Sequence, residues 1–200
     1  MGKGKKTQPP STDLLQEETK EFNITAAAIK DDFCHYSYEI LQGPGIGDTH
    51  AVKGNGIIMD DMVKAFQRFN VHLAMIDDAF RNSGTEVDNI DRFHNHDITM
   101  LYHVTGFKIK GTEENQSIIL VGNKYVSSGG RIALETPRIL LDAGTPYKWY
   151  NELLTESKNV RLEVELYKGG KYTAIDQEEE EDPNQTNLID QIEEFEQGEL

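Results

Sequence analysis

The stretch Asp60-Asp-Met-Val-Lys-Ala-Phe-Gln-Arg-Phe-Asn-Val-His-Leu-Ala-Met-Ile-Asp-Asp-Ala-Phe80 decides the fold class. Met62, Phe66, Phe69, Leu73, Ile76 and Phe80 recur at alternating intervals of four and three. That spacing draws one apolar stripe along a helix of about twenty residues, a face built to lie on a core. Asp60 and Asp61 stand where carboxylates complement the helix dipole, and Ser83-Gly84 supplies the stop.

Upstream of this helix the period changes to two. Phe22–Ile29 reads as a strand, and Cys34–Leu41 follows with Tyr36, Tyr38 and Ile40 alternating against His35, Ser37 and Glu39. Gly43-Pro-Gly-Ile-Gly-Asp48 turns the chain into a third strand, Thr49–Val52, closed by Lys53-Gly-Asn-Gly56. Downstream, residues 84–101 are polar and irregular, an unusually long connection for a compact domain. Val104–Lys110, Ser117–Val126 and Arg131–Thr136 then read as three strands joined by short polar turns bearing glycine or asparagine. Thr145-Pro146 predicts a second helix start, with Thr as cap and Pro at the first helical position. Trp149, Leu153, Val160, Val164 and Tyr167 share its face, and Gly169-Gly170 closes it.

Three strands, a helix, three strands and a helix make an antiparallel, β-rich α+β domain with two amphipathic helices. An OB-like barrel and an open sheet share that element order, and both stay open at this level.

Two hundred residues suit one domain with extensions. The formal net charge of -15 is unevenly spread. Residues 1–21 are a polar leader of zero net charge, and the body 22–173 carries -4; residues 174–200 hold eleven acids and no base. Such a tail repels itself and buries little apolar surface, so it is expected to be disordered. Leu188, Ile189, Ile192 and Phe195 within it follow a helical spacing and form a candidate partner-binding segment. No apolar run long enough for a membrane span and no secretory leader is visible, which predicts a cytoplasmic protein.

Catalytic motifs are absent or incomplete. The single cysteine, Cys34, reads as a small buried apolar residue, with no base at a known spacing. His94, His96, Asp97 and His103 have ligand chemistry, but their spacing enforces no metal site. Gly43-x-Gly45-x-Gly47 and Gly54-x-Gly56 lack the remainder of a phosphate loop and read as turns. His72 flanks the apolar stripe and reads as a packed histidine. Asp77-Asp78 diverge on a helix and Glu113-Glu114 lie in a turn. No cofactor, metal or catalytic residue is assigned.

One constellation remains. Lys108 and Lys110 alternate with Phe107 and Ile109, so both lysines leave one face of a strand. Lys124 and Tyr125 lie on the next strand, and Arg131 and Arg138 in or beside the third. Cations with an aromatic on a sheet face suit the backbone and bases of a single nucleic-acid strand.

Phe69–Asp78, Val104–Asn115 and Leu134–Ile139 resemble a family of small uncharacterised proteins of bacteriophages and prophages, over about residues 22–172. The resemblance implies a phage setting, hence the host cytoplasm, and transfers no catalytic residue. The layout is also similar to that of phage and bacterial single-stranded DNA-binding proteins, which couple an OB domain to an acidic tail that recruits replication proteins. This chain ends Glu-Gln-Gly-Glu-Leu200, with its last aromatic at Phe195. The expectation is a non-catalytic single-stranded DNA-binding protein of phage replication or recombination. Lys108, Lys110, Lys124, Arg131 and Arg138 would meet phosphates, Tyr125 or Phe107 would stack on bases, and Leu188, Ile192 and Phe195 would contact partner proteins. The alternatives are a phage adaptor or structural module with a solubilising tail and, third, a metal-dependent enzyme.

Overall fold

A computed structural model describes residues 22–43, 46–111 and 115–173. The leader, the tail with Leu188, Ile192 and Phe195, and Glu113-Glu114 lie outside the described residues.

Seven antiparallel strands form one open sheet: β1 (Phe22–Lys30), β2 (Phe33–Gly43), β3 (Ile46–Val52), β4 (Tyr102–Lys110), β5 (Ser117–Tyr125), β6 (Arg131–Glu135) and β7 (Ile139–Leu140). The order across the sheet is β3-β2-β1-β4-β5-β6, with β7 pairing β5 beyond the end of β6. The open sheet is thus the form adopted, and the OB-like barrel is not, because β3 and β6 stand at opposite edges of the sheet path.

Local chemistry sets these hairpins. Asp31 and Asp32 between β1 and β2 both take positive φ, at 50° and 66°. Two consecutive left-handed residues match the right-handed twist of the flanking strands, and aspartate tolerates that region better than most side chains. Gly111 supplies a φ of 91° at the end of β4.

The apolar stripe of 60–80 is divided among three helices, α1 (Asp60–Gln67), α2 (Phe69–Ile76) and α3 (Ala79–Asn82), where the sequence pattern predicts one. The sharp break is at Asp78, left-handed at φ 56°. It follows Asp77, whose carboxylate is held by Tyr102 and Lys124 of the sheet. The stripe still reaches the core: Met62, Phe66, Phe69, Leu73 and Phe80 are all buried, and Ile76 packs at the edge.

Residues 84–101 are less irregular than their composition suggests, holding a 3₁₀ turn (Ile90–Phe93) and a short helix, α4 (Asp97–Met100). The last helix, α5 (Tyr150–Lys168), begins five residues after Thr145, not at it. Thr145 Oγ1 instead accepts from Tyr147 N at 3.3 Å, a local turn that delays the helix. Leu153, Val160, Val164 and Tyr167 are buried as their spacing predicts.

The helices cover one face of the sheet, meeting it through β1, β2, β4 and β5. Ile24, Ala27, Cys34, Tyr36, Val104, Phe107, Ile109, Ile118 and Leu120 point into that layer and are buried. The two Gly54-x-Gly56 glycines belong to a packing node. The Tyr167 hydroxyl donates to Gly56 O at 2.6 Å and accepts from Gly56 N at 3.2 Å, and a side chain on Gly54 would meet the Cys34 carbonyl. Among the described residues no helix is long and apolar enough to cross a membrane.

Candidate nucleic-acid interface

With the described helices all on one side, the other face of the sheet is bare among the described residues. Period two assigns its residues: Ala26, Ala28 and Lys30 from β1, His35, Ser37 and Glu39 from β2, and Ala51 from β3, with Lys53 just past the end of that strand. Gly106, Lys108 and Lys110 continue it on β4, Ser117 to Tyr125 at every second position on β5, and Arg131, Ala133 and Glu135 on β6.

Small side chains make this face hollow. Ala26, Ala28, Ser37, Ala51 and Gly106 floor a trough of about 720 Å³ whose lining includes Lys30, Lys53 and Lys108. Gly106 keeps that floor close to the backbone, since a Cβ there would stand a tight 3.1 Å from Ala27 O and 3.2 Å from Ala28 Cβ. Lys53, just past the end of β3, and Lys108 on β4 stand on opposite sides of the trough, with β2 and β1 between their strands.

Charge on this face runs against that of the chain. Lys30, Lys53, Lys108, Lys110 and Arg131 are exposed on it, and Arg138 joins them by donating from Nε to Ser117 Oγ at 2.5 Å. Glu39 and Glu135 are the acids among its described residues, and Glu135 Oε1 pairs with Lys108 Nζ at 3.3 Å. Both partners of that pair are about half exposed, so it is held weakly.

Two of the residues expected at a nucleic-acid face are elsewhere. Phe107 is 1% exposed and packs against Phe66 and Phe69 with ring centroids 5.9 and 6.0 Å away, so it cannot stack on a base. The alternation that turns Lys108 outward is the same one that turns Phe107 inward. Lys124 also faces the helix layer. Its Nζ donates to Asp77 Oδ2 at 2.7 Å and lies 5.2 Å from the Tyr102 ring centroid, while Tyr102 donates to the same Asp77 oxygen at 2.5 Å. Burial pushes the Asp77 carboxyl upward, but the hydrogen bonds from Lys124 and Tyr102 outweigh it and hold Asp77 below the usual range. Bonding to Asp77, then to Tyr102, keeps Lys124 charged to higher pH than usual. Tyr125 remains the exposed aromatic at this end of the sheet, opposite Arg131.

Lys30 has a signal in the run Ala26-Ala-Ala-Ile-Lys30, whose small outward residues on a strand imply a hollow, whereas nothing local marks Lys53.

Two histidines of the 94–103 segment, His94 and His96, pack within the helix layer. His96 Nδ1 accepts from Ile98 N at 3.2 Å, capping α4, and its ring packs on Phe80 and Phe93. His94 Nε2 lies 3.7 Å from Asp91, and burial, then nearby Arg68, lowers its pKa. Among the described residues no three His, Cys, Asp or Glu side chains converge as a metal site. Burial raises the Cys34 thiol to about 12, which leaves no thiolate for nucleophilic chemistry at neutral pH.

Against known proteins, no family model, curated protein or solved structure matches this chain.

Proposed function

We propose that the protein binds a single nucleic-acid strand along the bare face of its sheet, in the setting of phage DNA replication or recombination. The observation that carries the reading is the surplus of cations on that face, in a chain of net charge -15. Lys30, Lys53, Lys108, Lys110, Arg131 and Arg138 would meet phosphates, and Tyr125 would offer the one stacking surface retained from the sequence expectation. A floor of alanine, serine and glycine lets a chain lie close to the backbone of the sheet. The phage setting rests on the sequence resemblance, and recruitment of replication proteins through Leu188, Ile192 and Phe195 rests on the spacing of those residues alone.

The test is titration of the full chain with a fluorescent oligonucleotide across a salt series. Each single-strand phosphate contact contributes about 0.7 to the slope of log K against log salt. Lys53→Glu and Lys30→Glu should each weaken binding and make the slope shallower by roughly that amount, with unchanged melting temperature. Salt-insensitive binding, or none at low salt, would refute the reading and favour a protein-interaction module.

A further inference from the structure

We infer that β6 is a self-complementary edge through which two copies of this chain join their sheets into one. Its five residues, Arg131-Ile-Ala-Leu-Glu135, pair with β5 on one side and, among the described residues, with no other strand on the other. Proteins usually blunt such an edge with lysine, proline or a bulge. Here the first proline is Pro137, beyond the strand, and the register with β5 runs unbroken from Val121–Glu135 to Tyr125–Arg131.

The direction of the backbone groups fixes which residues can pair outward. Thr136 N donates to Leu120 O at 2.9 Å, and Val126 N donates to Gly130 O at 3.0 Å. Hydrogen-bonded positions alternate along an antiparallel ladder, so Gly130, Ile132, Leu134 and Thr136 turn their backbone groups to β5. Arg131, Ala133 and Glu135 therefore turn theirs away from the sheet.

Antiparallel pairing with a second copy about Ala133 uses those three residues and no others. Ala133 faces Ala133 of the second copy across two hydrogen bonds, and each Arg131 faces a Glu135 across two more. The side chains agree with this register. Two Arg131–Glu135 ion pairs form on the bare face, and two Ile132–Leu134 contacts form on the helix side, where Ile132 is 50% exposed in the single chain. Ala133 on the axis is small enough for two copies to meet. The two-fold axis runs perpendicular to the sheet, so the result is closed and isologous. Both bare faces then lie on the same side of a continuous sheet. Each Glu135 is shared between Lys108 of its own chain and Arg131 of the second copy.

The other edge, β3, is exposed from Gly47 to Ala51, but it adjoins residues 44–45, outside the described residues.

The experiment is sedimentation equilibrium on the full chain, wild type beside Arg131→Glu, Glu135→Arg and the double variant. Wild type should dimerise. Either single reversal places like charges opposite each other twice and should weaken self-association on the order of tenfold or more. The double variant restores opposite charges and should recover the dimer, which a merely misfolded single variant could not predict. A monomeric wild type, a dimer indifferent to all three variants, or a double variant no better than the singles would each overturn the inference. Arg131 also lies on the proposed nucleic-acid face, so oligonucleotide affinity is read on Lys53→Glu, which leaves β6 untouched; failure of self-association then leaves the proposed function standing and the reverse also holds.

Discussion

Lys124→Ala separates the two roles that a cation beside an aromatic could have. Were Lys124 part of a nucleic-acid face, the substitution would cost affinity and leave stability alone. Its position dictates the opposite. Lys124 Nζ and the Tyr102 hydroxyl converge on one oxygen of Asp77, with Lys124 33% and Asp77 29% exposed. Removing Lys124 deletes one charge-assisted bond that is partly screened by water, worth about 1 kcal/mol. Asp77 keeps its bond from Tyr102. Asp77→Ala removes the shared acceptor and strands both donors, including the hydroxyl of a tyrosine that is 2% exposed, for about 2–3 kcal/mol. For a chain of this size those losses lower the melting midpoint by roughly 3 °C and 5–10 °C respectively. Thermal unfolding followed by circular dichroism, beside oligonucleotide titration of the same samples, measures both quantities. An unchanged midpoint with a several-fold loss of affinity in Lys124→Ala would refute the assignment of this lysine to the core network.

Two further outcomes follow from buried polar groups. His72 is fully buried with Nδ1 2.8 Å from the Tyr147 hydroxyl, and burial, with smaller contributions from His94 and Arg68, lowers its pKa from 6.5 to about 3. A folded pKa below the unfolded one gives stability that is complete above about pH 6.5 and lost as pH falls toward 3, by about 1.4 kcal/mol per pH unit within that window. Urea unfolding of wild type and His72→Gln between pH 7.5 and 5 should show the wild type losing more stability on acidification; parallel curves would contradict a neutral buried His72. Tyr167→Phe removes the hydroxyl that both donates to Gly56 O and accepts from Gly56 N. It should destabilise by about 1–3 kcal/mol, read as a lower urea midpoint at unchanged slope.

Periodicity made much of the fold legible, because burial repeats with the geometry of the element that carries it. The stripe from Met62 to Phe80 announced the core face of the first helices, and the alternation at Phe107–Lys110 announced which lysines turn outward. Local pattern fails where a distant partner decides. The helix breaks at Asp78 beside an aspartate held by Tyr102 and Lys124, which lie 25 and 47 residues further along the chain from Asp77. Lys124 looked like a free cation because nothing near it in sequence shows that its partner, Asp77, waits at the end of α2.

The amino-acid order alone thus determined the antiparallel α+β class, the six longer strands, the core faces of the main helices and the segregation of charge, all of which depend on neighbours within a few turns or strand residues; it did not show the division of the first helix into three, the short helix α4 or the strand β7. Only the tertiary structure decided that the sheet stays open and that the helices gather on one face, leaving Lys30, Lys53 and Lys108 around a small-residue trough. It also left β6 as an edge. Strand order and edge exposure are properties of pairing between residues far apart in the chain, so no local spacing encodes them.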